Sequence, residues 1–290
     1  MRYVFAGATS GTGNAVVQRL VARVGEQAIT CIVRETSNVD LLKHAGVRIH
    51  RGDIAVPSSY ETLLADDVCF LDMTHPRYYP RTVPLLRASG VSRAYFVTTT
   101  GIYSRFHRCS DIYKIGENLI KGSGLSWTIL RPSMIYGTVR DKNMHRLIAF
   151  LNRSPVFPLF GDGRSLMQPV YVEDLADGIT AAMTNPNSEQ KAYDLAGPHP
   201  IMYKDIIAVI LGVLERRVTR VRVPMAPAIA AVRALQWLPG FPINDEQVLR
   251  LQEDKAFDIS PAREDLGFSP RSFDKGIRLE IAEMCQGGAV

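Results

Sequence analysis

Cysteine is scarce in this sequence. The four present, Cys31, Cys69, Cys109 and Cys285, lie far apart and form no C-x-x-C pair. Neither a zinc site nor a disulfide framework is expected, no metal is assigned, and a reducing cytoplasm fits best. The chain also lacks a Lys/Arg-rich run with interleaved aromatics. Its formal charge of +5 and pI near 9.0 come from scattered residues, which argues against a nucleic-acid partner and leaves room for a small anionic ligand. No apolar run reaches the ~20 residues of a membrane span. The longest tract, Pro224 to Pro242, is interrupted by Pro227, Arg233 and Pro239, and reads as a core or interface helix, with membrane-surface contact the lesser alternative. The opening Met1-Arg-Tyr-Val-Phe-Ala meets glycine too soon for a signal peptide's apolar region. Internal repeats and low-complexity tracts are absent, and Gly287-Gly-Ala-Val reads as a frayed end.

What is there is an ordinary globular composition, 46% hydrophobic and 22% charged over 290 residues, enough for one large or two intimate domains. Short β-rich runs alternate with amphipathic stretches. Tyr3 to Ala6 precedes a helical Ala15 to Arg23, and Ala28 to Val33 precedes a helical piece near Asp40. Further runs follow at Val47 to His50, Val68 to Asp72, Ala94 to Thr98 and Thr128 to Leu130, with a helix-compatible Thr82 to Ser89 among them. This alternation predicts an α/β fold: a doubly wound parallel Rossmann sheet covered by helices, with a ligand at the carboxyl ends of the strands. After Gly137 the chain becomes loop-rich, then helical from Val172 to Met183. The expected division is a nucleotide-binding domain over 1–155 and a smaller α/β substrate lobe over 156–290, with a strand near 192–196 returning to the main sheet.

Gly7-Ala-Thr-Ser-Gly-Thr-Gly13 follows the first strand and opens the first helix, the context that makes a glycine pattern informative. Glycine permits positive φ and close approach to a pyrophosphate, and the helix N-terminus offers free N–H groups and the positive end of its dipole. Gly7, Thr9, Ser10, Gly11, Thr12 and Gly13 are therefore candidate cofactor-binding residues, with the Ser10 hydroxyl a candidate phosphate donor. Strand two ends at Arg34, where an arginine suits the 2′-phosphate of NADP; Glu35 beside it keeps NAD as the alternative. Asp53 and Ile54 are placed to meet the adenine, and Met73 and Thr74 the ribose side.

These motifs, with Tyr95-Phe-Val-Thr-Thr-Thr-Gly-Ile-Tyr103, Ser123-Gly-Leu-Ser-Trp-Thr-Ile-Leu-Arg-Pro-Ser-Met-Ile-Tyr-Gly137, Gln168-Pro-Val-Tyr-Val-Glu-Asp-Leu-Ala176, Tyr193-Asp-Leu-Ala-Gly197 and Asp265-Leu-Gly-Phe-Ser-Pro-Arg271, run over nearly the whole chain. Together they resemble the short-chain dehydrogenase/reductases of extended and atypical type, which include epimerase/dehydratase-like enzymes. The likeness is greatest to branches such as the nucleotide-binding accessory subunit of respiratory complex I, and looser to nitrogen-metabolite-repression regulators and isoflavone-reductase-like enzymes. The resemblance implies NAD(P) as cofactor and adds Pro132 to the cofactor site. The glycines depart from the extended G-x-x-G-x-x-G pattern, having the G-x-x-x-G-x-G spacing of the family's single-domain reductases.

The catalytic departure is deeper. The resemblance implies a tyrosine acid/base, a lysine four residues on, and a Ser/Thr that orients the substrate carbonyl. Thr99 matches the last. In one register Tyr113 is the tyrosine and Glu117 takes the lysine position; in the other, preferred from its spacing to Ser123-Gly-Leu125, Glu117 follows the lysine slot by four, placing Tyr113 in that slot and Cys109 in the tyrosine slot. Residues four apart share a helix face, so Lys114 points about 100° away from Tyr113. Without a cation, a tyrosine of pKa ~10 is about one-thousandth ionised at neutral pH, and lowering it by ~3 units takes ~4 kcal/mol.

Thr99 and Tyr113 remain the catalytic candidates for an oxidoreductase acting on a small, mostly apolar carbonyl or enone. A non-catalytic NAD(P)H-binding sensor or assembly protein is the rival, and a nucleotide-sugar epimerase or dehydratase the third reading. His75, His107 and His145 are weaker acid/base candidates, and Tyr103 and Tyr136 read as packing more than as nicotinamide-pocket residues. Gly161-Asp-Gly-Arg164 resembles a substrate-phosphate loop, but Met167-Gln-Pro169 replaces the basic residue that sugar-nucleotide members carry next. Glu173 and Asp174 suit a helix start. A small-molecule substrate is expected, with a homodimer the possible protein partner.

Overall fold

The computed structural model describes residues 1–138, 143–235, 237 and 249–287. The side chains of Arg108, Cys109, Ala228 and Leu235, and parts of the apolar tract and C-terminal tail singled out above, lie outside the described residues. In chain order come β1 (Arg2–Ala6), α1 (Gly11–Val24), β2 (Ile29–Val33), α2 (Asp40–His44), β3 (Arg48–Arg51), β4 (Val68–Asp72), α3 (Tyr79–Ala88), β5 (Arg93–Val97), α4 (His107–Lys121) and β6 (Trp127–Pro132). There follow β7 (Ile135–Tyr136), α5 (Met144–Arg153), β8 (Val156–Phe160), β9 (Leu166–Met167), β10 (Val170–Tyr171), α6 (Val172–Thr184), β11 (Lys191–Leu195), β12 (Ile201–Met202), α7 (Tyr203–Val213), β13 (Thr219–Val223), α8 (Met225–Leu235), α9 (Ser260–Leu266) and α10 (Phe273–Gln286).

Seven strands form one parallel sheet in the order β11-β6-β5-β4-β1-β2-β3. Its residue types follow from position. The central strand β4, Val-Cys-Phe-Leu-Asp, is buried at all five residues because helices cover both faces, whereas the edge strand β3, Arg-Ile-His-Arg, has none fully buried. Alternation sends Tyr3 and Phe5 to one face, against Val16, Val17 and Leu20 of α1 and Leu175 and Ile179 of α6, and Val4 and Ala6 to the other, against Val83 and Leu86 of α3 and Ile120 of α4. Thus α6 and β11 lie in the main layer beside α1 and β6. A separate cluster joins Ile148 of α5, Ile206, Ile207 and Ile210 of α7, and Ile277 and Ile281 of α10 into the second lobe.

The strand order reverses between β4 and β1, so the ends of these two strands flank the crevice where a doubly wound sheet takes its ligand. Helix α4 is pinned beside that edge by charge. Glu117, only 1% exposed, accepts from Arg131 Nε at 2.7 Å and from Nη2 at 2.6 Å, and from the Thr98 hydroxyl at 3.0 Å. Lys121, one turn on, lies 3.3 Å from the same carboxylate. Burial alone raises the Glu117 pKa, but the hydrogen bonds and charge of Arg131, then Lys121 and Thr98, outweigh it and leave it below the usual value.

Removing one partner of a buried pair leaves the other charged and unsolvated, so Glu117→Ala is expected to cost about 3–5 kcal/mol in denaturant unfolding. Lys121→Ala, at a half-exposed pair, should cost under about 1 kcal/mol. Because the folded-state pKa of Glu117 is depressed, its stabilising contribution is full above the unfolded value of about 4.5 and is lost as pH falls through the lower folded value. Glu117→Gln should therefore flatten the acid limb of the melting temperature against pH; an unchanged limb would show that the pair does not carry it.

Candidate active site

Gly7, Thr9, Ser10, Arg34, Asp53, Ile54, Met73, Thr74 and Thr99 follow the carboxyl ends of parallel strands and Pro132 ends one, which gathers them on one edge of the sheet. Gly7 leaves β1 with φ +96°, and a Cβ there would stand 3.0 Å from the Met73 carbonyl oxygen after β4. Gly13 packs closer still, its added Cβ falling 2.3 Å from the Gly7 carbonyl oxygen. The two glycines let the first turn of α1 sit on the strand end. Ser10 caps that turn: its hydroxyl accepts from Gly13 N–H at 2.9 Å and donates to the Gly7 carbonyl at 3.1 Å. Without a nucleotide, the Ser10 hydroxyl serves the turn itself. The N–H groups of Gly11 and Thr12, by contrast, have no acceptor among the described residues, and Thr9 lies half-buried in the same loop. Thr138, just after β7, overhangs the turn, with its methyl and hydroxyl 3.3 Å from where a Gly11 Cβ would be.

At the next strand end, Arg34 after β2 is exposed and makes no side-chain hydrogen bond or ion pair among the described residues. Arg51, ending β3, donates through Nη1 to the backbone carbonyls of Arg34 at 2.8 Å and Glu35 at 3.2 Å, which sets its guanidinium against the Arg34 backbone. The Asp53 carboxylate is turned to its own loop, accepting from Ala55 N–H at 2.9 Å, and Ile54 is buried in the core beside Ile32 and Tyr60. Met73 continues the sheet by donating its N–H to Ala6. Thr74 gives both its N–H, at 2.8 Å, and its hydroxyl proton, at 2.6 Å, to Asp72 Oδ1.

Thr99 is extended and caps a 3-10 turn, Thr100–Tyr103, by accepting from Gly101 N–H at 3.1 Å. Its own proton has only a long contact, 3.5 Å, to the Pro132 carbonyl, which Thr100 also approaches at 3.3 Å. Tyr113 on α4 is half-buried, and its ring lies 6.1 Å from that of His75 at 49°. Lys114 is exposed, on another side of the helix. Glu117 is spent on Arg131, so it stands in for no lysine. His75 Nδ1 accepts from Arg77 N–H at 3.2 Å, which places the ring proton on Nε2. Burial and then the Arg77 charge hold the His75 pKa below its ordinary value, so the ring is neutral at pH 7. Close to this pair the sheet carries a buried acid: Asp72 is fully enclosed, and burial pushes its pKa up to about 6 against the two bonds from Thr74.

The remaining candidates are engaged elsewhere. Tyr103 donates to Asp194 at 2.9 Å and accepts from Arg131 at 2.8 Å, while Tyr136 is fully buried in the second lobe against Tyr171 and Phe273. His107 contacts Asp111 at 3.1 Å on an exposed turn, His145 belongs to α5, and Asp162 binds the N–H of Arg164. Asp174 makes an ion pair with Arg271 at 2.8 Å and Glu173 with Arg19 at 3.2 Å, so these carboxylates tie elements together in addition to favouring the helix start. Reading the sequence passed over Arg51, Thr138 and Asp72. Arg51 and Asp72 did carry a signal, since each is a charged residue closing a strand, as Arg34 is.

The chain is similar to known proteins in sequence and fold. A family model described as NAD(P)H-binding matches residues 7–186, more than half of the chain. Over 134 residues the chain is 31% identical to NADH dehydrogenase (ubiquinone) 1 alpha subcomplex subunit 9 of Arabidopsis thaliana, covering 44% of this chain and 33% of that protein. It thus spans about a third of the length of that relative. It is 23% identical over 235 residues to the NAD(P)H azoreductase of Xenophilus azovorans, covering 79% of each. Among solved structures, the triphenylmethane reductase of Citrobacter sp. complexed with NADP(H) superposes with a TM-score of 0.74 at 19% identity, over 96% of this chain and 99% of that one. On the strength of the matching model and the glycine-loop geometry, the chain belongs to the NAD(P)H-binding family, of atypical short-chain dehydrogenase/reductase type.

Proposed function

We propose that the protein is an NADP(H)-preferring oxidoreductase that reduces a small, mostly apolar carbonyl or enone. The observation that carries the reading is the combination at one crevice of two unpaired N–H groups, Gly11 and Thr12, at the start of α1 and two guanidinium groups, Arg34 and Arg51, at the adjacent strand ends. The first suits a pyrophosphate at a helix N-terminus and the second a 2′-phosphate. When bound, the dihydronicotinamide supplies a hydride to the substrate carbon. Thr99, whose proton has only a 3.5 Å contact, donates to the substrate oxygen and orients it. Tyr113 delivers the proton that converts that oxygen to hydroxyl, and the neutral His75 ring beside it is the polar group placed to support the transfer. The names of the azoreductase and the triphenylmethane reductase favour reduction over redox-neutral sugar chemistry.

The rival reading, a binder without turnover, is favoured by the burial of Glu117 against Arg131 and the exposure of Lys114, which leave Tyr113 without the lysine four residues on. NADPH oxidation against a panel of carbonyls, enones and quinoid dyes separates the two. Turnover is expected, and tight NADPH binding with none across the panel would favour the rival.

Three variants refine the reading. Arg34→Ala should weaken NADPH by about 10- to 100-fold, the loss of a hydrogen bond to a charged group, while leaving NADH nearly unchanged; equal losses would remove the 2′-phosphate role. Gly13→Ala should abolish binding of both nucleotides, because its Cβ cannot coexist with the Gly7 carbonyl. Tyr113→Phe should lower kcat by about 10²-fold or more with the NADPH Kd unchanged, the loss expected of a general acid; unchanged turnover would clear Tyr113 of that role.

A further inference from the structure

Asp72 closes β4 in the middle of the sheet, flanked by Ala6 of β1 and Phe96 of β5. It is 0% exposed and has no cationic partner among the described residues. Both bonds from Thr74 fall on Oδ1, and Oδ2 is buried without a partner. The titratable groups that sense it are Tyr60, in the turn after β3, and Tyr79, at the start of α3; both hydroxyls are buried, that of Tyr60 beside Thr82 and that of Tyr79 without a hydrogen-bond partner. Tyr79 also senses Glu117 and Tyr113. A buried carboxylate in such a place is expensive, so its retention in the ionised form needs a compensating use.

Thr74 supplies the use. Its hydroxyl has one proton, and Asp72 takes it, so toward any further partner that oxygen can only accept a hydrogen bond. An ionised acceptor behind it makes that bond charge-assisted and polarises the hydroxyl oxygen. We infer that Asp72 is a positioning residue that locks Thr74 as a pure acceptor for a hydroxyl or amide donor of the bound nucleotide, and that protonation of Asp72 on Oδ2 weakens this lock. The inference rests on the nucleotide-binding reading above. It adds a pH-dependent step to cofactor capture: affinity rises as pH increases through about 6, where Asp72 ionises.

The sign of the stability effect is opposite. A carboxyl whose folded pKa is raised from 3.8 to about 6 contributes fully below pH 3.8, and that contribution is lost as pH rises through about 6. The wild-type melting temperature should therefore fall between pH 5 and pH 8 more steeply than that of Asp72→Asn, whose amide keeps an acceptor for Thr74 but does not ionise.

The test is equilibrium titration with NADPH and NADH from pH 5 to pH 8 on the full chain. NADH is essential because the 2′-phosphate of NADPH, like other phosphomonoesters, titrates near pH ~6. For NADH, wild-type affinity should rise about three- to tenfold across this range, because only a part of a charge-assisted bond is modulated. Asp72→Asn should bind with a flat profile, Thr74→Ser should keep the wild-type slope, and Thr74→Val should lose both slope and affinity. A wild-type slope retained in Asp72→Asn overturns the assignment to Asp72 while leaving the nucleotide reading intact. No binding of either nucleotide at any pH overturns that reading, and the inference with it.

Discussion

The buried pair of Glu117 and Arg131 is the interaction on which the active edge depends. It joins four elements: α4 through Glu117, β6 through Arg131, the end of β5 through Thr98, and β11 through Asp194, whose carboxylate lies 3.5 Å from Arg131 and accepts from Tyr103. The same guanidinium donates to the Tyr103 hydroxyl and so also fixes the turn that Thr99 caps. The positions of Tyr113 and Thr99 relative to the strand ends thus follow from one ion pair. Such a pair is costly to desolvate, and its worth lies in geometry: a forked guanidinium on a carboxylate tolerates little rotation of α4.

What could be read from the sequence was whatever is local in the chain. Apolar runs mark the strands because a doubly covered sheet demands them, and the glycine loop announces itself because its positive φ and close packing are set by residues within a few positions of one another. The roles fixed by distant partners were not legible in the same way. Glu117 finds its partner 14 residues on, in β6, and Asp174 pairs 97 residues on with Arg271. Ser10 illustrates a different limit. A serine in a phosphate loop and a serine at a helix N-cap have the same sequence signature, and the cap becomes visible only in the structure, where the hydroxyl accepts from Gly13 N–H.

His75 shows a related limit. Loop histidines are usually solvated, but this one follows a central strand and lies against α4, where Gly116 lets Pro76 and Tyr79 approach closely; a Cβ at Gly116 would be 3.1 Å from Pro76 and 3.0 Å from Tyr79. That contact brings the His75 ring to Tyr113. The glycine in Tyr113-Lys-Ile-Gly116 is thus as informative as the adjacent tyrosine and lysine.

The electrostatics of this corner favour neutral donors. A lysine-assisted tyrosine works by having its phenolate stabilised by a cation, worth about 4 kcal/mol for a shift of ~3 units. Among the described groups near Tyr113 are a histidine held below its ordinary pKa, the buried hydroxyl of Tyr79 and, beyond it, a carboxyl. In the proposed reduction Tyr113 acts as a donor already carrying its proton, the state of an ordinary phenol of pKa ~10 at neutral pH. That state points toward reduction, in which the substrate oxygen must gain a proton, over oxidation, which must remove one. It also accounts for the absence of the usual lysine without requiring that all chemistry be lost. An acid that never needs to become phenolate at rest has no need for a cation to hold it there, provided the proton is restored from solvent between turnovers.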